Sequence, residues 1–245
     1  MSAGRGHLET AAHPPLAIPA ADWAWLRERC QALELPDPDP WRSICEALYG
    51  HMVGVNAWMN LTRITDARDY CKRHLLDSFA CLKAPCLHDL AADVPCVDLG
   101  SGGGYPGLPL MTALATPPWV LVDSRRKKAA FLSEAIALTP ARDAEARHFR
   151  GRESASAAPD LHGSCQLVVA RAVGQADLLI QEAVGLLERG GWLLLPKGPA
   201  YRGAEHERAL AAARVMSLDY VGTTELALEA GDPSRLLVAF RKRRV

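Results

Sequence analysis

The residues with the most chemical content lie in one run, Val97-Asp98-Leu99-Gly100-Ser101-Gly102-Gly103-Gly104-Tyr105-Pro106-Gly107. It continues the apolar segment Cys96–Leu99, which reads as a strand. A glycine turn after a strand is where an open α/β sheet takes its cofactor. Gly102-x-Gly104-x-x-Gly107 satisfies the dinucleotide spacing G-x-G-x-x-G, but Asp98 changes what it means. A carboxylate at the strand tip repels a pyrophosphate and favours a ligand with a sulfonium and an ammonium group. The order D-x-G-x-G-x-G over Asp98, Gly100, Gly102 and Gly104 therefore points to S-adenosylmethionine rather than a nicotinamide dinucleotide. Glycines let the backbone pass close under the methionine and ribose portions, where side chains would collide. Asp123 closes the second strand candidate about twenty residues beyond the loop, where an acidic side chain can take both ribose hydroxyls.

Three cations fall at or near the ends of other strand candidates: Arg171, Lys197 and Arg235. They could bracket a substrate base or its phosphates, or form salt bridges to Asp98, Asp123 or other strand-tip acids. His74 and Asp77 are three residues apart on one helical face and within reach of a local hydrogen bond. They either dock their helix over the glycine loop or meet substrate. Trp41 and Trp58 are expected in the core or at an interface rather than as base-stacking platforms. No Ser-His-Asp or paired-carboxylate set emerges. The seven cysteines, Cys30, Cys45, Cys71, Cys81, Cys86, Cys96 and Cys165, include no C-x-x-C pair. Buried free thiols in a reducing compartment are expected, with no metal site and no disulfide.

The elements that must position these groups change character along the chain. Residues 1–21, rich in Ala, Pro, Gly and His, read as a disordered leader. Residues 22–94 read as a helical segment: Trp23, Leu26, Cys30 and Leu33 recur at helical spacing, as do Trp41, Ile44, Cys45, Leu48 and Met52. A third helix is expected at about Asp69–Leu82. From residue 95 to 245 strand candidates alternate with helices: Cys96–Leu99, Val120–Asp123, Ala146–Phe149, Leu167–Ala170 and Trp192–Leu195. Helices Lys127–Leu138 and Asp177–Glu188 lie between them, the latter with Gly190-Gly191 as its stop. Such alternation implies a parallel sheet covered on both faces. A helix near Glu205–Arg214 and strand candidates around Met216–Tyr220 and Leu236–Phe240 end the chain.

With these pieces in order, the sequence resembles the bacterial 16S ribosomal RNA guanine-N7 methyltransferases, the glucose-inhibited division protein B family. The resemblance runs from about Asn56 to Phe240. It is carried by Asn60-Leu-Thr62, Arg73-His74-Leu-Leu-Asp77-Ser78, the 97–109 loop, and Val122-Asp-Ser-Arg-Arg-Lys-Lys128. Ala170-Arg-Ala172, Lys197-Gly198 and Ser234-Arg-Leu-Leu-Val238 follow. It implies a Rossmann-like class I methyltransferase with a seven-stranded, mostly parallel sheet ordered 3-2-1-4-5-7-6 under an N-terminal helical cap, with Leu236–Phe240 as the antiparallel strand. It further implies cofactor contacts from Gly100, Tyr105, the backbone at Glu153-Ser154, and Arg171. From the residues themselves, Lys197, Arg235 and His74 are the candidate substrate contacts, and Arg171 and Lys197 those on which transfer is expected to depend. The chain departs from the family after the third strand, where Gly151-Arg152 precedes Glu153-Ser154 and displaces the carboxylate by one position. An adenine contact there would therefore come from backbone. Guanine N7 carries no proton at neutral pH, so attack on a sulfonium methyl needs alignment and no general base.

Composition sets the alternatives. Formal net charge is zero, so there is no overall basic footprint. The clusters Arg125-Arg126-Lys127-Lys128 and Arg241-Lys242-Arg243-Arg244 are read as RNA-facing, or as a solvated helix face and a soluble tail. The glycine loop alone would suit a methyltransferase for a small molecule or protein, and less well a nicotinamide oxidoreductase or a non-catalytic ribosome-assembly module. No signal pattern or membrane-length apolar run is present. A cytoplasmic monomer acting on 16S RNA or the small subunit, away from membranes, is the expectation.

Overall fold

The computed structural model describes residues 13–114, 117–171 and 174–244. Among these, seven strands form one sheet ordered β3-β2-β1-β4-β5-β7-β6. They are β1 Cys96–Leu99, β2 Trp119–Asp123, β3 Ala144–His148, β4 Cys165–Val169, β5 Leu187–Lys197, β6 Leu218–Leu226 and β7 Arg235–Lys242. The first five are parallel, and β7 runs antiparallel between β5 and β6. The expected order and antiparallel strand are both present. β1, β2 and β4 are buried at every position, as continuous apolar runs covered on both faces must be. The edge strands β3 and β6 carry exposed Glu145, Asp219 and Tyr220, which blunts further pairing. Chain order reverses between β1 and β4, and a crevice opens above their C-terminal ends.

The helical segment packs into this core. Trp23, Leu26 and Cys30 of helix Ala20–Ala32, and Leu48, Met52 and Val55 of helix Arg42–Met59, join one apolar cluster with Leu108, Met111, Trp119 and Leu121. The third helix runs over 67–83 and is not uniform. Asp66 caps it by accepting from the Arg68 and Asp69 amides, and Cys71–Leu76 is π-helical. Its extra residue per turn alters the phase of the face that carries His74 and Asp77, an irregularity common at functional sites.

Three expectations are corrected. The composition of residues 1–21 predicts a disordered leader. Residues 1–12 lie outside those described, but from His13 the chain lies along helix Arg42–Met59. The Leu16 amide donates to the Glu46 carbonyl (3.1 Å), Arg42 donates to the Ile18 carbonyl, and Ile18 is 1% exposed. Gly50 admits the segment, since a Cβ there would sit 2.2 Å from the Pro14 carbonyl oxygen. Gly190-Gly191 does not stop a helix: helix Ala176–Ala183 ends earlier and both glycines lie inside β5. Leu187 pairs with Cys165 but Trp192 with Leu167, so β5 bulges at the glycines. The second basic cluster is no free tail. Arg241 donates to the Gly190 carbonyl and lies over the Trp192 ring, Lys242 donates to the Val184 and Leu187 carbonyls, and Arg243 pairs with Asp219.

Candidate active site

The glycine loop leaves β1 on left-handed backbone: φ is +72° at Gly100, +61° at Gly102 and +94° at Gly104. These are conformations that L side chains rarely adopt. Asp98 is fully buried beneath the loop. Its Oδ2 accepts from Ser101 Oγ (2.6 Å) and the Gly107 amide (2.8 Å), while its Oδ1 has no partner among the described residues. Burial pushes its pKa up to about 6, against the pull of those two hydrogen bonds. Asp98 thus holds the loop to the helix Gly107–Leu114 and does not line the cleft above. Gly104 also faces inward, against Leu108. Gly100, Gly102 and Tyr105 do line that cleft, as does Asp123, whose oxygens accept from the Gly102 (3.1 Å) and Arg125 (2.8 Å) amides.

This first cleft has a volume of about 430 Å³ and is completed by Thr62, His74, Lys128 and Arg171. A second, of about 360 Å³, opens from Gly100 and Leu99 past Ser124 to Phe149, Arg150, Gly151 and Arg152, with Leu179 and Glu182 opposite. A third, also about 360 Å³, lies on the other side of His74 and Arg171, against Asp77, Pro196, Lys197, Gly198 and Arg235. His74 and Arg171 are common to the first and third clefts and form the wall between them.

That wall is tightly bonded. The His74 ring stacks on Tyr105 (centroids 4.2 Å apart, planes 9° apart), and the Tyr105 hydroxyl donates to Tyr70 Oη (3.2 Å). Arg171 donates from Nη1 to Asp77 Oδ2 (2.6 Å) and the Arg73 carbonyl (3.0 Å), and from Nη2 to His74 Nδ1 (3.4 Å). A guanidinium only donates, so Nδ1 is the acceptor and the imidazole proton sits on Nε2, facing Thr62 Oγ1 at 3.3 Å. Burial, and then the Arg171 charge, push the His74 pKa down to about 3, so the ring is neutral. The spacing suggests a His74–Asp77 hydrogen bond, but Asp77 bonds two arginines instead. The altered helical phase directs its Oδ1 to Arg235 Nε and its Oδ2 to Arg171.

The expected site residues therefore divide. Gly100, Gly102, Tyr105, Asp123, His74 and Arg171 gather at the first cleft, and Arg235 and Lys197 at the third. Glu153 and Ser154 reach none of the three. β3 ends at His148 and the tight turn Gly151–Glu153 follows at once, so Phe149–Arg152 occupy the strand tip and Ser154 turns inward to His162. Lys197 is not a free cation: Nζ donates to Glu205 (2.9 Å) and the Gly174 carbonyl (2.7 Å). Trp41 packs on Phe79, whereas Trp58 is exposed. Thr62 and Phe149–Arg152 have no assigned role in the sequence, and Arg125 and Lys128 none beyond that of their basic cluster. Thr62 lay within the quoted Asn60-Leu-Thr62 motif, and Arg125 and Lys128 within the first basic cluster, so a signal existed for these three.

The first two clefts fit S-adenosylmethionine. The glycines keep side chains out of the floor, the Asp123 carboxylate lines the cleft at the tip of β2, and the Asp98 oxygen without a partner among the described residues places negative character beneath the loop. A family model described as rRNA small subunit methyltransferase G matches residues 43–228. The chain belongs to this family. The ribosomal RNA small subunit methyltransferase G of Pelotomaculum thermopropionicum is 36% identical over 199 residues, covering 80% of each chain. That of Gloeobacter violaceus is 34% identical over 80% of this chain and 76% of its own. The Sorangium cellulosum methyltransferase G is 38% identical over 66% of this chain and 64% of its own. Among solved structures, geranyl diphosphate methyltransferase superposes with a TM-score of 0.50 at 15% identity, over 70% of this chain and 76% of its own. A "predicted O-methyltransferase" of Agrobacterium tumefaciens gives 0.51 at 23%, over 69% and 79%. These two share the fold of this chain.

Proposed function

We propose that this chain methylates N7 of a guanine in 16S ribosomal RNA, with the first two clefts holding S-adenosylmethionine and the third admitting the base. The observation that carries this reading is the shared wall: His74 and Arg171 line the cofactor cleft and the neighbouring cleft at once. When bound, S-adenosylmethionine supplies an electrophilic methyl on a sulfonium. The chain's own residues provide placement. The glycine loop and Tyr105 bound the cleft, Asp123 takes the ribose hydroxyls, and the turn Phe149–Arg152 flanks the adenine. Arg171 and Arg235 stand where the base and its phosphates would approach.

The groups at the junction are all committed. His74 is neutral with its Nδ1 lone pair facing Arg171, and Asp77 is held by two guanidiniums. Neither is placed to take a proton, which suits a nucleophile that has none to lose. No helix among the described residues is long and apolar enough to cross a membrane, and all seven cysteines are free and buried, which supports a cytoplasmic setting. The test is to map modified guanines in small-subunit RNA from cells with and without the gene, and to restore the modification with purified protein. A 16S guanine that loses its N7 methyl only in the deletion strain is the expected result; unchanged 16S RNA would redirect the reading to a protein or small-molecule methyl acceptor.

A further inference from the structure

We propose that Asp77 is the positioning residue of this site: its buried carboxylate, held between Arg171 and Arg235, fixes Arg171 in the wall between the two clefts and offsets its charge beside the reacting base. The proposal rests on the methyltransferase reading above.

Asp77 is 6% exposed and gives each oxygen to a different arginine. Arg171 has three acceptors, Asp77, the Arg73 carbonyl and His74 Nδ1, and a rigid guanidinium satisfies all three in only one pose. Two of these acceptors are set by the fold, but only Asp77 is charged, so it dominates the choice of pose. Without it, two like charges would face each other in a partly desolvated place and move apart. The same carboxylate has a second effect. Methyl transfer places positive charge on the guanine ring, and an unbalanced guanidinium nearby would oppose it. Asp77 leaves the group of three with one net positive charge instead of two. The two oxygens also report to different places. Arg171 lines both clefts, whereas Arg235 lines only the substrate cleft.

The test uses the full chain, with S-adenosylhomocysteine titrated by calorimetry and methyl transfer measured on small-subunit RNA over a range of concentrations. Asp77→Asn keeps the shape and removes the charge. It should weaken S-adenosylhomocysteine binding by roughly tenfold or more, the scale of a lost charged hydrogen bond. Arg171→Ala should do the same, and the double variant should bind no worse than Arg171→Ala alone, because Asp77 acts through Arg171. Arg235→Gln should leave this affinity within about twofold and raise the KM for RNA, as expected when a substrate-side contact alone is lost. Wild-type affinity in Asp77→Asn, losses that multiply in the double variant, or Arg235→Gln weakening the ligand as much as Asp77→Asn would each overturn the proposal. Should Asp77→Asn fail to fold, Asp77→Glu takes its place: its added methylene displaces Arg171, and wild-type affinity there is equally fatal. The ligand titrations need no RNA, so they decide the role of Asp77 even if 16S RNA proves not to be the acceptor.

Discussion

At the scale of single residues, Asp98 combines two demands that pull apart. Its carboxylate gives the glycine loop negative character, yet it is buried and its pKa is raised to about 6. A group whose folded-state pKa lies above its unfolded value contributes stability that is complete below the unfolded value, near 3.9 for Asp, and lost as pH rises through the folded one. Asp98→Asn should therefore match the wild type near pH 4 and be more stable at pH 7.5, by on the order of 2 kcal/mol. It should also bind S-adenosylhomocysteine and S-adenosylmethionine less well. Thermal melts at the two pH values, with ligand titrations, check both halves; equal stability at both pH values would remove the burial argument. Lys197 is the opposite case. It is 10% exposed on its side chain and bonded to Glu205, so Lys197→Ala should lower stability by about 1–3 kcal/mol and leave ligand affinity intact. An unchanged melting temperature would return it to the role of a free substrate contact. The types of these residues were legible in the sequence, and their partners were not. Glu205 and Asp77 are ordinary acids until the sheet brings Lys197 and Arg171 to them.

At the scale of elements, the loop and the helix behind it work as one unit. A Cβ at Gly107 would lie 2.6 Å from Asp98 Oδ2, whereas one at Gly103 would meet only the Tyr105 ring edge, at 3.6 Å. Gly107→Ala should destabilise the protein by about 1–3 kcal/mol through overpacking, while Gly103→Ala should fold normally and lose cofactor affinity by crowding the cleft. Denaturant midpoints and ligand titration separate the two; equal midpoints would show that Asp98 can yield. The central strands were readable because buried parallel strands are unbroken apolar runs, and Cys96–Leu99 came out to the residue. The end of β3 was not, since one residue there decides which side chains form the strand tip, and strand ends carry little local signal. The π-helical segment at Cys71–Leu76 had none: nothing in Cys-Lys-Arg-His-Leu-Leu announces a change of phase.

At the scale of the whole molecule, strand order and the antiparallel seventh strand followed from the resemblance together with strand–helix alternation. The extent of the N-terminal packing did not, because a Pro- and Ala-rich stretch has the composition of a leader whether or not a groove receives it. Ile18→Ala should cost about 2–4 kcal/mol, as for a buried aliphatic side chain. A loose leader would lose nothing, and chemical denaturation distinguishes the two. Tertiary clasps extend the theme: Lys72 pairs with Glu229 and Asp232, and the Trp25 indole donates to Glu229, tying the loop before β7 to the helical cap.

β7 is made after β6 yet sits inside the sheet, between β5 and β6. During synthesis, then, β5 must wait with an open edge while β6 and its turn emerge, and only afterwards can the later strand join β5 and β6 together. Asp77 waits as well, for a partner 158 residues downstream. Assembly by this route is slow and leaves the β5 backbone unpaired in the interval, when neighbouring chains compete for it. Competence would thus arrive late and all at once. A nascent chain that already shows the five parallel strands would still have an open β5 edge and a half-filled carboxylate, and ligand affinity should appear only with the closing strand.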